Sequence, residues 1–199
     1  MANLTEFKGK IGYGIRPNLF QVSIPTLPTA TTLASTYATD FIFLCRSAGI
    51  PAASVGTVEV PFRGRVIKLP GDRTFESWTI TVFGDQNLKL RSYFEKWLDV
   101  LNEHTSGAGY TTSASYSATL QVDQLFRGSG AATTADTKSP HSVIRSYQFI
   151  NSFPTNISQI DLSYDNNNSI AEYTVEFQYD YWITNAVTTG TASIGNGVI

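Results

Sequence analysis

The chain has 199 residues, 42% hydrophobic and 13% aromatic, which suits one folded domain with its own core and excludes a disordered polymer. Its formal charge of −2, from 14 basic and 16 acidic side chains, argues against the cationic surface that tight phosphate binding needs. A single cysteine, Cys45, makes no intrachain disulfide, and two histidines, His104 and His141, offer no metal-ligand spacing. Charged residues are only 15% of the chain, and Thr, Ser and Asn take their place, a mix that suits β structure and surfaces facing other protein. No basic start precedes an apolar run, and no stretch approaches the roughly 18 apolar residues of a membrane helix, so neither secretion nor a membrane is expected.

The first predicted strand spans 16–24, with Pro17 at its start, where a missing N–H does little harm. A long surface loop is expected at 25–40, where Pro25 and Pro28 exclude regular structure, followed by a short apolar strand over 41–46. Between 55 and 69, Val58, Val60 and Phe62 alternate with Thr57, Glu59 and Pro61. Arg63, Arg65 and Lys68 cluster around Gly64, so this segment reads as a strand, a basic bend and a second strand, with Pro61 marking an edge or an exposed arm. The block 70–82 reads as a turn shaped by Gly71 and Asp72, then a strand with Trp78, Ile80 and Val82 on one face and Ser77, Thr79 and Thr81 on the other.

One helix is predicted, over 85–103. Asp85 is its expected N-cap, and Leu90, Phe94, Trp97, Leu98 and Leu101 form one apolar stripe. Strands follow around Tyr116–Asp123, over 143–153 and over 158–164, the last expected to bury Ile160, Leu162 and Tyr164. A second loop of small polar residues is expected at 128–140. The Asn-rich run 165–169 predicts a turn. The longest strand is expected at 171–183, with Tyr173, Val175 and Phe177 on its apolar face and Glu172, Glu176 and Asp180 on the other. After 183 a tail of small residues carries no charged side chain. The predicted fold class is mainly β, an antiparallel sandwich or partly closed barrel with one α-helix. A single domain is expected over 1–183, with an arm near 55–73 and a polar extension at 184–199.

Little here suggests catalysis. His104 near the helix C-terminus suits the helix dipole, and His141 sits at a loop–strand junction. Glu172 and Glu176 share a strand face, as a glycosidase pair could, but alternation on a wet sheet face explains them more simply. No phosphate-binding, dinucleotide or calcium motif is present; Gly128-Ser129-Gly130 lacks the strand-to-helix context. No catalytic, metal or cofactor-binding residue is therefore assigned. The cluster Arg63, Arg65, Lys68 and Arg73 reads as a solvated loop, a nucleic-acid patch or a set of intersubunit ion pairs. No aromatic residues are interleaved for base stacking, which weakens the nucleic-acid reading, and the acidic strand row of Glu172, Glu176 and Asp180 favours the last.

The block Pro70-Gly71-Asp72-Arg73-Thr74-Phe75-Glu76-Ser77-Trp78-Thr79-Ile80-Thr81-Val82 resembles the tail tube proteins of contractile-tailed, T4-type bacteriophages. Arg16-Pro17-Asn18-Leu19-Phe20-Gln21-Val22, Phe153-Pro154-Thr155-Asn156-Ile157 with the Asn-rich turn, and Asp180-Tyr181-Trp182 resemble that family's other landmarks, in its order. The resemblance implies a phage tail tube-like fold and a structural subunit that is not an enzyme. It implies hexameric rings stacked into a hollow tube inside a contractile sheath, with DNA passing through the lumen without specific binding. The implied partners are other copies, the tail sheath protein, and baseplate and tail terminator proteins. The implied location is the virion, after assembly in the host cytoplasm. Arg63, Arg65, Lys68, Asp72 and Arg73 would then contact a neighbouring copy, and Thr79, Thr81, Glu172 and Glu176 would face the lumen. The alternatives are a tube initiator or terminator, the inner tube of a contractile injection system such as type VI secretion, or a β-sandwich carbohydrate-binding domain.

Overall fold

The computed structural model describes residues 3–12, 14–30, 36–126, 142–165 and 167–186. The loop expected at 128–140, His141 and nearly all of the C-terminal extension lie outside them. In chain order the elements are α1 (Leu4–Ile11), β1 (Phe20–Thr26), α2 (Thr36–Leu44), β2 (Cys45–Ala48), β3 (Ser54–Phe62), β4 (Arg65–Thr74), β5 (Trp78–Phe83), α3 (Lys89–Leu101), α4 (Ser113–Tyr116), β6 (Ala118–Phe126), β7 (Ser142–Ile157), β8 (Glu172–Gln178) and β9 (Tyr181–Ala186). The mainly β class holds, with three helical segments beyond the predicted one.

Seven strands form an antiparallel sheet in the order β1-β6-β7-β8-β5-β2, with β9 also paired to β7. The hinge of this sheet is β7. Its first half, Arg145 to Ile150, lies between β6 and β9; its second half, Phe153 to Ile157, turns away to pair with β8. The turning point is Asn151, at φ 54, a left-handed conformation that Asn tolerates better than most side chains. Its Nδ2 donates to Asp180 Oδ2 at 2.6 Å, and the Asp180 N–H donates to the Ile150 carbonyl at 3.1 Å. The long strand predicted over 171–183 is broken at that corner into β8 and β9. Continuous apolar alternation conceals a break whose cause is a residue some 30 positions upstream.

The two halves enclose one core. Trp78 stacks on Phe149 across it with ring centroids 4.4 Å apart, and Val22, Leu120, Ile80, Val82, Val175 and Phe177 are buried around them. The open side is closed by α3, whose buried stripe is Leu90, Tyr93, Phe94 and Trp97. This helix begins four residues later than predicted. Leu88 occupies the N-cap position without a side-chain cap, while Asp85 Oδ2 accepts the Lys89 N–H at 3.1 Å. The apolar strand predicted over 41–46 is instead the end of α2 and the start of β2. Phe41 is buried and meets Phe94 edge-on at 5.9 Å. A short apolar run does not distinguish strand from buried helix.

The segment expected as a strand over 158–164 has no such structure. The Ser158 N–H bonds to the Thr174 carbonyl, pairing stops, and the chain projects outward. Leu162 is 90% exposed and Tyr164 wholly so, because no strand lies beside them to cover an apolar face.

Candidate functional site

The strands β3 and β4 pair only with each other, as a hairpin separate from the main sheet. Side chains alternate faces along a strand, so the register Val58↔Leu69, Val60↔Ile67 and Phe62↔Arg65 collects five large apolar side chains on one face. Glu59, Pro61, Val66 and Lys68 occupy the other. Those five, Val58, Val60, Phe62, Ile67 and Leu69, are 41–58% exposed. A lone two-stranded ribbon is marginal in water, and nothing among the described residues covers this apolar face.

The residues predicted to make intersubunit contacts all lie on this arm, but not as one cluster. Arg63 and Gly64, at φ 46 and 81, form the two-residue tip turn, the geometry that matches strand twist in tight hairpins. The Arg63 guanidinium lies 5.3 Å from the Phe62 ring centre, and Arg65 stands opposite Phe62. Lys68 Nζ is 3.6 Å from Glu59 Oε1. Arg73 is at the root, paired with Val55, next to exposed Asp72. Eight residues of extended strand separate Arg65 from Arg73, about 26 Å.

The turn predicted at Gly71–Asp72 is not there; both belong to β4. Register slips between Val55 and Thr57, so Gly71 faces Gly56 across a bulge. A Cβ on Gly71 would sit 3.1 Å from the Gly56 carbonyl carbon and oxygen. Glycine serves close strand approach here, not a turn.

Two indoles hold the arm's root. Trp78 Nε1 donates to the Gly49 carbonyl at 2.7 Å, and Trp182 Nε1 donates to the Ala52 carbonyl at 3.2 Å. Ser54 Oγ and Thr74 Oγ1 lie 2.7 Å apart where the arm starts. The sequence marks both tryptophans, one in the block at 70–82 and one in Asp180-Tyr181-Trp182. It does not reveal that both act on the segment entering the arm.

The residues predicted to face a lumen share one surface. In β5 and β8, Thr79 pairs with Glu176, Thr81 with Thr174, and Phe83 with Glu172, with Trp78, Ile80 and Val82 turned inward. Glu172 is engaged by Arg46 in a salt bridge. Asp180 does not continue the acidic row, since it lies past the end of β8 and accepts from Asn151. A second polar face is the one that alternation gives to Gln121 and Asp123, opposite Leu120 and Val122; its link to β7 is not legible in the sequence. Gln148 Nε2 donates to Gln121 Oε1 at 2.8 Å, and Gln121 Nε2 to Asp123 Oδ1 at 2.8 Å, on the outside of the β6/β7 pair. Glutamines on alternating strands signal only a wet face; their register is a property of the pairing.

Chemistry is sparse elsewhere. Burial pushes the Cys45 thiol up to about 12, only partly opposed by a backbone hydrogen bond at Ser47, so it is a poor nucleophile. Burial also raises the phenols of Tyr93 and Tyr173. His104 lies beyond the end of α3, its backbone N–H donating to Asp99 Oδ1 at 3.3 Å. Among the described residues no group of three or more His, Cys, Asp or Glu could hold a metal ion, and no helix is long and apolar enough to cross a membrane.

The fold and this surface define a structural β protein with an outlying arm. Residues 15–185 match the phage tail tube protein family. Tail tube protein gp19 of Enterobacteria phage T4 is 33% identical over 171 residues, 84% of this chain and 90% of that protein; gp19 of phage T6 matches to the same extent. The chain belongs to the phage tail tube protein family. Its relatives are structural tube proteins rather than enzymes, and its role is that of a tube subunit. The fold is shared with the tube-terminating cap of the anti-feeding prophage, at a TM-score of 0.58, 16% identity, and 87% and 92% of the two chains covered. The sheath–tube complex of an extracellular contractile injection system gives a TM-score of 0.53 at 17% identity, covering 94% and 100%.

Proposed function

We propose that six copies close into a ring, that rings stack into a hollow tube inside a contractile sheath, and that DNA passes along its lumen. The observation that carries this reading is the arm, an entire hairpin with an apolar face that the rest of the described chain leaves uncovered. A surface completed only by a different surface of another copy is what a head-to-tail assembly requires. The arm residues Arg63, Arg65, Lys68, Asp72 and Arg73 contact a neighbouring copy in this reading. The free edges of β2 and of the second half of β7 supply strand pairing around the ring.

The lumen is lined by the face carrying Thr79, Thr81, Glu172 and Glu176. A polar wall with a slight negative potential repels phosphates and keeps DNA from adhering. Sheath contacts lie on the outer surface, baseplate and terminator proteins meet the two ends, and assembly takes place in the host cytoplasm.

Electron microscopy of the purified protein tests the assembly directly. Long hollow tubes are the expected result. Monomers at every concentration would overturn the reading, and isolated rings that never stack would point to a terminator or initiator. The lumen assignment has its own test in Glu176→Lys, chosen because Glu172 is already paired with Arg46. Tails of normal length should eject DNA more slowly, and unchanged ejection would refute a lumen-facing Glu176.

A further inference from the structure

Two exposed apolar features stand at opposite ends of the β5/β8 pair. The arm is rooted beside Trp78, which pairs with Phe177; residues 158–171 leave the fold beside Phe83, which pairs with Glu172. Five residue steps separate the ends, ~17 Å of strand. The projecting loop carries Leu162, Tyr164 and Ile170, all strongly exposed, flanked by Asp161 and Asp165. No lysine or arginine follows Arg145 anywhere in the sequence, so the loop carries no cation of its own, and the guanidiniums that other elements bring to this end are already engaged, Arg46 by Glu172 and Arg91 by Glu95 and the Ser158 carbonyl. The arm is the converse, an apolar face with Arg63 and Arg65 at its tip, neither in an ion pair among the described residues, while Lys68 is engaged by Glu59.

The geometry points to a specific seat for the arm: the 158–171 loop of the next copy along the β5/β8 direction. Val58, Val60, Phe62, Ile67 and Leu69 cover Leu162, Tyr164 and Ile170, and Arg63 and Arg65 meet Asp161 and Asp165. Neither apolar surface is covered by another element among the described residues. Each has the other's complementary charge, and they lie at the two poles that translation along the strands brings together. Burying the eight apolar side chains supplies the affinity, and the charge pairs fix orientation and exclude arm-to-arm contact. The inference rests on the stacked-ring reading above but names the receiving surface, which that reading leaves open.

The test is a charge exchange read by electron microscopy and sedimentation. Arg63→Glu with Arg65→Glu, and separately Asp161→Lys with Asp165→Lys, alter exposed sites and leave the folded protomer intact by circular dichroism. Each pair should reduce the tube fraction at least tenfold, and the protein carrying all four substitutions should recover it. A Phe62→Cys, Leu162→Cys variant made in a Cys45→Ala background, since Cys45 is only partly buried, should in addition give a ladder of disulfide-linked multimers under mild oxidation. Wild-type tubes together with a loop-reversed protein that still forms full-length tubes, no recovery in the fourfold variant, or no ladder would overturn this seat and leave the tube reading standing. A wild-type protein that forms neither tubes nor rings would overturn both.

Discussion

At the scale of single residues, Trp78 joins two jobs that the sequence displays as one. Its place in an alternating strand shows that it is buried, and its stacking on Phe149 confirms that role. Its bond to the Gly49 carbonyl could not be read, because the partner is 29 residues away in a segment with no pattern of its own. The two roles separate by substitution. Trp78→Ala should cost about 3–5 kcal/mol through the cavity it leaves. Trp78→Phe keeps an aromatic ring against Phe149 and should cost about 1 kcal/mol, for one hydrogen bond. Urea unfolding measures both; equal losses would mean that the ring contributes nothing beyond its N–H. Cys45, expected from its type to be a small buried residue, is only partly buried, packed against the edge of the core.

At the scale of elements, legibility followed how local the determining interactions are. The arm was legible because alternation, prolines and a basic Arg-Gly turn all lie within 20 residues of one another. The same is true of β5 and of the α3 stripe. The helix α2, the break between β8 and β9, and the exposed 158–171 loop were missed, and each depends on what lies alongside in space. Leu162 and Tyr164 alternate as a buried strand would, yet with no neighbour they face water. The arm also permits a clean separation of folding from assembly. Gly71→Val places a branched side chain against the Gly56 backbone, which must spread the bulge and spoil the arm's register. Because the arm lies outside the core, thermal melting should shift by only a degree or two, while tubes should be absent by microscopy. A large drop in melting temperature would show that the arm contributes to the domain's own stability.

At the scale of the whole molecule, the protonation balance of the core predicts sensitivity to alkali. The Cys45 thiol is pushed from its ordinary value of 9.0 up to about 12 by burial, and burial likewise raises Tyr93 and Tyr173. Between the unfolded and folded values the unfolded chain binds fewer protons, so raising the pH favours unfolding. The contribution is fully present below pH 9 and is lost as the pH climbs through the folded values. The urea midpoint should therefore fall above pH 9, and Cys45→Ala should flatten the first part of that fall. A midpoint that rises or stays level up to pH 11 would refute the assignment.

The two indoles at the arm's root have a spectroscopic consequence. Of the three tryptophans, Trp97 is sealed in the core and donates to the Tyr116 carbonyl at 2.6 Å, so its emission is a constant background. Trp78 and Trp182 donate to backbone carbonyls at the entrance to the arm. An excited indole is sensitive to what its N–H meets, so any event that shifts residues 49–52 alters the colour of the protein's own fluorescence. The chain thus carries an internal, label-free gauge of whether its arm is engaged.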